Sequence, residues 1–294
     1  MKNNLSGVGT ALITPFKSDF SLDESAFRKL VKRQIQNEVN YLVPLGTTGE
    51  TPCLEKSEKE KILEITLEES SGKVPVIAGV GSNNTMQVIE NIKVFEKYKL
   101  SGYLVVTPYY NKPTQDGLYQ HYKIISENTD KQIILYNVPS RTSINMTAET
   151  TLRLSEIKSI TAIKEASSDL SQISQIIKYA PKNFSVISGN DDETLSICTL
   201  GGIGVISVAS NIAPKEMSVF YKMIISDIVE AKKLHHKLSG LFKNCFIESN
   251  PIPVKAALNY LKHIENVLRL PLTASKDITL EVMKKTLNEL NINY

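Results

Sequence analysis

Residues 132–164 read QIILYNVPSRTSINMTAETTLRLSEIKSITAIK, and two apolar runs inside them, Gln132–Asn137 and Ile160–Lys164, decide the expected architecture. Both runs are short and rich in β-branched residues, without the polar alternation of a half-exposed strand. That pattern fits a strand covered on both faces, as in a parallel sheet flanked by helices. About one βα unit separates them. Working outward, runs of the same kind recur at Gly7–Thr14, Tyr41–Leu45, Val74–Val80, Gly102–Thr107, Phe184–Ser188 and Gly204–Val208. Eight strands alternating with helical segments predict a closed (β/α)8 barrel. A doubly wound open sheet is the alternative, and the count of eight favours the barrel.

The segments between strands carry helix signals. Ser21-x-x-Glu24 and Ser57-x-x-Glu60 are candidate capping boxes. Phe27, Leu30, Val31, Ile35 and Val39 mark one face at helical spacing, as do Val88, Ile89, Ile92 and Phe95. Beyond about Pro214 the strand signals stop, and helical patterns follow at Met217–Leu234, Val254–Lys262 and Asp277–Leu290. No low-complexity linker precedes them. The expected organisation is a barrel over residues 1–225 and a helical extension, 226–294, packed on it.

Composition narrows the function classes. The 294 residues include 34 Lys and Arg against 31 Asp and Glu, a formal charge of +3 spread without basic blocks, so a nucleic-acid partner is not expected. The amino terminus lacks a signal-like apolar segment, and no apolar stretch approaches the ~20 residues that cross a bilayer. Cys53, Cys198 and Cys245 are few and far apart, which suits a reducing compartment. A cytoplasmic location is the expectation. His121, His235, His236 and His263 show no metal-ligand spacing, with His235 and His236 on a polar helix face, so no metal is expected. Gly201-Gly202-Ile203-Gly204 precedes a strand and so does not fit a dinucleotide fingerprint.

In a barrel, working residues sit where strands end. Lys164 closes the apolar run Ile160–Ile163. Burying a lysine favours the neutral amine that attacks a ketone carbonyl. The competing interpretation is a lysine that leaves the strand and pairs with Glu165. Tyr136 ends the neighbouring strand, where a phenol in a dry pocket can pass protons; an ordinary packed tyrosine is the alternative. Thr47 and Thr48 stand in a glycine-bracketed turn, Gly46–Glu50, that offers N–H groups and hydroxyls to a small carboxylate, or is simply tight. Arg141 follows a proline-stiffened loop, and a guanidinium binds a carboxylate through two hydrogen bonds, although a solvated surface arginine fits as well. Tyr109 and Tyr110 suit rim packing or a subunit contact.

Taken together, Gly46-Thr47-Thr48-Gly49-Glu50, Tyr109-Tyr110, Tyr136–Thr142, Ile163-Lys164-Glu165-Ala166 and Ser188-Gly189-Asn190-Asp191 resemble the dihydrodipicolinate synthase family over essentially the whole chain. That family lies within the N-acetylneuraminate lyase superfamily of pyruvate-dependent aldolases. The resemblance implies condensation of pyruvate, held as an imine on Lys164, with L-aspartate 4-semialdehyde in lysine and diaminopimelate biosynthesis. It implies that Thr48, the backbone near Ile206 and Gly189 bind substrate. It implies that Thr47, Tyr136 and Tyr110 relay protons, Tyr110 from a neighbouring subunit of a homotetramer, and that Arg141 grips the aldehyde's carboxylate. No separate cofactor is implied, because the lysine is the electron sink.

Two departures stand out. The family's usual glycine after the Arg-Thr pair is Ser143 here. Positions where lysine-inhibited members carry a histidine and a glutamate are Lys56 and Gln87, while Asn83 and Tyr109 are retained, so weak or absent lysine inhibition is expected. Another aldolase of the superfamily, such as N-acetylneuraminate lyase or a 2-keto-3-deoxy sugar acid aldolase, is a second enzymatic interpretation. Those usually lack an arginine at the place of Arg141. A small-molecule-sensing barrel is the non-enzyme interpretation, against which the intact Lys164, Tyr136, Thr47 and Tyr110 argue.

Overall fold

The computed structural model describes residues 5–293. In chain order the elements are β1 (Gly7–Ala11), α1 (Glu24–Gln36), β2 (Tyr41–Val43), α2 (Lys56–Ser70), β3 (Ile77–Gly79), α3 (Thr85–Phe95), β4 (Gly102–Val106) and α4 (Gln115–Ser126). Then come β5 (Gln132–Asn137), α5 (Pro139–Thr142), α6 (Ala148–Ser155), β6 (Ile160–Glu165), α7 (Leu170–Tyr179), β7 (Ser185–Ser188), α8 (Thr194–Leu200) and β8 (Gly204–Ser207). Four helices follow: α9 (Pro214–Ser226), α10 (Ile228–Asn244), α11 (Ile252–Tyr260) and α12 (Asp277–Leu290). Eight parallel strands alternating with helices are the (β/α)8 pattern expected from the sequence.

The chain forms two compact units, one of residues 5–6 and Pro75–Ile206, the other of Gly7–Val74 and residues 207–293. In the first, β3 through β8 are consecutive parallel neighbours. Tyr103, Leu104 and Val105 of β4 and Ile133–Asn137 of β5 are buried on both faces, which is why these strands read as unbroken apolar runs. Val88, Ile89, Ile92 and Phe95 form the buried stripe of α3. In the second unit β1 pairs with β2 in register Gly9↔Tyr41 to Ala11↔Val43. Phe27, Leu30 and Val31 of α1 are buried there beside Gln34, whose Oε1 accepts from the Thr10 hydroxyl at 2.9 Å.

Element boundaries differ from expectation where local chemistry intervenes. β2 stops at Val43 because Leu45 turns the chain at φ 60°. Helix α1 is capped by Asp23, which accepts from the Ala26 N–H at 2.9 Å, whereas Ser21 is engaged by Asp19 at 2.6 Å. The capping box of α2 is formed by Glu55 and Glu58, leaving Ser57 inside the helix. The single expected helix over Met217–Leu234 is two. Asp227 breaks it, because its carboxylate accepts from the N–H groups of Val229 and Glu230 at 3.0 and 3.2 Å and so starts α10 afresh. His235 is not on a polar face. Its ring packs 6.0 and 5.9 Å from those of Phe220 and Phe242.

Candidate active site

The centre of the first unit's candidate site is set by a register shift. Ile133 faces Ile160, but Ile134 faces Ala162, so β6 carries one extra residue at Thr161. Tyr136 consequently pairs with Lys164, and Asn137 with Glu165. Without the extra residue Tyr136 would face Ile163, and a one-residue slip turns every side chain to the other face. The bulge therefore puts Tyr136 and Lys164 on one side of the strands, and Asn137 and Glu165 on the other.

Lys164 is 5% exposed and Tyr136 6% exposed, and the lysine Nζ lies 4.1 Å from the centre of the tyrosine ring. Among the described residues Lys164 makes no ion pair. The expected competitor, Glu165, is occupied elsewhere. Its oxygens accept from Asn137 Nδ2 at 3.0 and 3.3 Å, from Gln172 Nε2 at 3.3 Å and from the Ser167 N–H at 2.9 Å. Burial pushes the Glu165 carboxyl up to about 7, against the pull of those donors. Lys164 is thus a buried lysine beside a phenol, not a strand-end lysine in a salt bridge.

Close packing shapes the strand ends around it. The Gly189 N–H bonds to the Glu165 carbonyl at 2.7 Å. A Cβ on Gly189 would fall 2.7 Å from that of Ala166 and 2.9 Å from the Glu165 oxygen, so only glycine lets the end of β7 approach β6 so closely. Ile206 is buried on β8. Arg141 lies exposed on α5, whose last residue, Thr142, is anchored through its hydroxyl to the carbonyls of Val138 and Ile144 at 3.2 and 3.1 Å. Ser143 follows at φ 59°, a left-handed conformation natural to glycine. Tyr110 is not part of the buried pair within the chain. It is 90% exposed at φ 73°, and Tyr109 is 37% exposed.

The second unit carries Thr47 and Thr48 in a 3-10 turn, Thr47–Gly49, closed by the Gly49 N–H on the Gly46 carbonyl at 3.0 Å. Thr48 is buried, and its hydroxyl accepts from Asn250 Nδ2 at 2.9 Å. Glu50 leaves the turn in a left-handed conformation, φ 52°. Its carboxylate forms an ion pair with Lys255 in which both side chains are fully buried. Lys255 also donates to the Val267 carbonyl at 2.9 Å, and the Arg269 N–H donates to Glu50 at 3.1 Å. Burial pushes the Lys255 amine down to about 8, against the attraction of Glu50.

Asn250, Lys255 and Gln172 were not singled out from the sequence. A signal did exist for Lys255, a lone cation inside the apolar stretch Ile252–Leu258 of a helix. Among the described residues no group of His, Cys, Asp and Glu gathers in a metal-holding arrangement, and no helix is long and apolar enough to cross a membrane.

Fold and site together define a class, the (β/α)8 lyases of the class I aldolase type. The model of the dihydrodipicolinate synthetase family matches residues 4–290, and the chain belongs to that family. A 4-hydroxy-tetrahydrodipicolinate synthase of Phocaeicola vulgatus is 49% identical over 294 residues, covering 99% of each chain. The crystal structure of dihydrodipicolinate synthase from Thermotoga maritima matches with a TM-score of 0.97 at 47% identity, covering 99% of this chain and 100% of that one. A monomeric dihydrodipicolinate synthase variant matches with a TM-score of 0.96 at 47% identity, covering 98% of this chain and 97% of its own.

Proposed function

We propose that the protein is a 4-hydroxy-tetrahydrodipicolinate synthase joining pyruvate to L-aspartate 4-semialdehyde through an imine on Lys164. The observation that carries this is the Lys164 Nζ, buried without an ion pair 4.1 Å from the Tyr136 ring. Its amine attacks the pyruvate ketone, and water leaves as the imine forms. The iminium nitrogen acidifies the adjacent methyl group, which loses a proton to give an enamine. The enamine carbon attacks the aldehyde, and Tyr136 delivers a proton to the new alkoxide. The product's own amine then displaces Lys164 and closes the ring. Lys164 is the electron sink, so no separate cofactor takes part. Holding both reactants in place supplies a large share of the rate.

The remaining roles follow the family resemblance. Thr48, the Ile206 backbone and Gly189 hold pyruvate, Arg141 grips the carboxylate of the aldehyde, and Thr47 relays protons with Tyr136. Tyr110 completes the relay from a neighbouring copy in a homotetramer; its 90% exposure in the single chain supports a partner-facing role. The place in metabolism is the lysine branch, in the cytoplasm, where the thiols of Cys53, Cys198 and Cys245, none of them in a disulfide, are stable. A coupled assay in which a reductase consumes the cyclic product tests the assignment. Lys164→Ala abolishes the signal with the fold retained, and Arg141→Ala harms use of the aldehyde far more than imine formation. Cleavage of sialic acid without any condensation would overturn it.

A further inference from the structure

The outer face of β5 and β6, opposite the Lys164–Tyr136 pair, is polar although fully buried. Glu165 and Asn137 are both 0% exposed. A buried carboxylate in a barrel wall needs its lone pairs filled, and the three donors that fill them come from three elements. Asn137 donates from β5, Gln172 from α7 and the Ser167 N–H from the turn between β6 and α7. The cluster then continues into the loop that leaves Arg141. Asn137 Nδ2 also donates to Asn145 Oδ1 at 2.8 Å, and the Met146 N–H donates to Asn137 Oδ1 at 3.0 Å. Asn145 Nδ2 in turn donates to Gln172 Oε1 at 2.8 Å.

Each member is one covalent step, or one short loop, from a group in the proposed reaction. Glu165 follows Lys164, Asn137 follows Tyr136, and Asn145 lies four residues beyond Arg141. We infer that Glu165 is a positioning residue that locks β6 to β5, so that Lys164 meets the ketone in an attacking geometry, while the Asn145 end of its network holds the Arg141 loop. This rests on the imine reading above. The carboxylate is well suited to the task because it only accepts when ionised, and Asn137, Gln172 and the Ser167 N–H all donate to it. Glutamine in its place would bring an amide N–H₂ against Gln172 Nε2 or Asn137 Nδ2. One network would thus hold an amine for the first substrate and a guanidinium for the second, and damage at its two ends separates into two kinetic signatures.

The test uses the full chain with Glu165→Gln, Glu165→Asp and Asn145→Ala, each checked by circular dichroism. The initial rate of pyruvate-dependent borohydride trapping is read by mass, and kcat and KM for L-aspartate 4-semialdehyde come from the coupled assay. A folded Glu165→Gln chain is expected to form the adduct about tenfold more slowly, since displacement of a reacting group by about 1 Å costs up to 10²-fold. Glu165→Asp, which keeps the carboxylate, recovers part of that loss. Asn145→Ala leaves trapping within about twofold and raises KM for the aldehyde about fivefold. Trapping by folded Glu165→Gln at the parent rate overturns the inference. Should Glu165→Gln not fold, Gln172→Ala carries the same readout, slowed trapping supporting the inference and an unchanged rate overturning it. A parent chain that condenses its substrates normally while Glu165→Gln does the same refutes positioning alone. A parent that forms no adduct removes the imine reading as well.

Discussion

Replacing Lys255 by Met leaves the Glu50 carboxylate buried without the cation it pairs with, a large loss for the fold. Both side chains of the pair are fully buried, so solvent screening does not soften the loss. The Arg269 N–H still donates to Glu50, but the Val267 carbonyl loses the Lys255 donor. Breaking one half of a buried ion pair costs about 3–5 kcal/mol. For a chain of this size each kcal/mol moves Tm by roughly 2–4 °C, so the melting temperature should fall by roughly 6–20 °C. The double variant Glu50→Gln, Lys255→Met removes both charges and should regain most of the loss, because an apolar or neutral pair is often as stable as the ionic one. Thermal scans of the parent, both single variants and the double variant complete the cycle. A Lys255→Met chain that melts within about 2 °C of the parent would refute the claim that Lys255 is needed to hold the buried Glu50 charge.

Other outcomes follow from individual groups. Glu165, held near 7 in the folded chain against 4.5 when free, binds its extra proton only in the folded state across that window. Its contribution to stability therefore declines as pH rises from about 4.5 to about 7 and is level above, by about 3 kcal/mol in total. Melting curves of Glu165→Gln against the parent should lose this decline, and identical pH profiles would contradict it. Ser143→Gly relieves a left-handed conformation that costs a non-glycine residue about 1–2 kcal/mol, offset by about 0.5–1 kcal/mol of added chain entropy. The net gain, up to about 1.5 kcal/mol, is read by denaturant titration, and a loss would count against it. Lysine should inhibit weakly or not at all, because Lys56 and Gln87 replace the histidine and glutamate of inhibited members. Strong inhibition at sub-millimolar lysine in the coupled assay would refute this.

Much of the barrel was legible because its strands are buried on both faces, and burial leaves an unbroken apolar run that needs no tertiary knowledge to recognise. Lys164 and Tyr136 were legible for the same reason, as polar residues closing such runs. The ends of elements were less so. Ser21 and Ser57 have the right chemistry for caps, but Asp23 and Glu55 stand where the backbone turns. Asp227 hid inside an apolar helical period that hydrophobicity alone continues. The polar groups behind the site were hidden for another reason. Asn137, Gln172 and Asn250 read as ordinary polar positions until folding joins residues distant in the chain, as Asn250 is joined to Thr48. Nor does one strand's sequence announce the bulge at Thr161, which depends on the register of two strands.

The proposed reaction depends on the Lys164 amine, beside the Tyr136 ring, condensing with a ketoacid. Incubating the protein with pyruvate and sodium borohydride, then digesting it and locating the modified peptide by mass spectrometry, measures this directly. One reduced pyruvate per chain is expected on Lys164, absent from Lys164→Ala and from samples without pyruvate. No adduct at all, or an adduct on Lys255 or a surface lysine in its place, would contradict it.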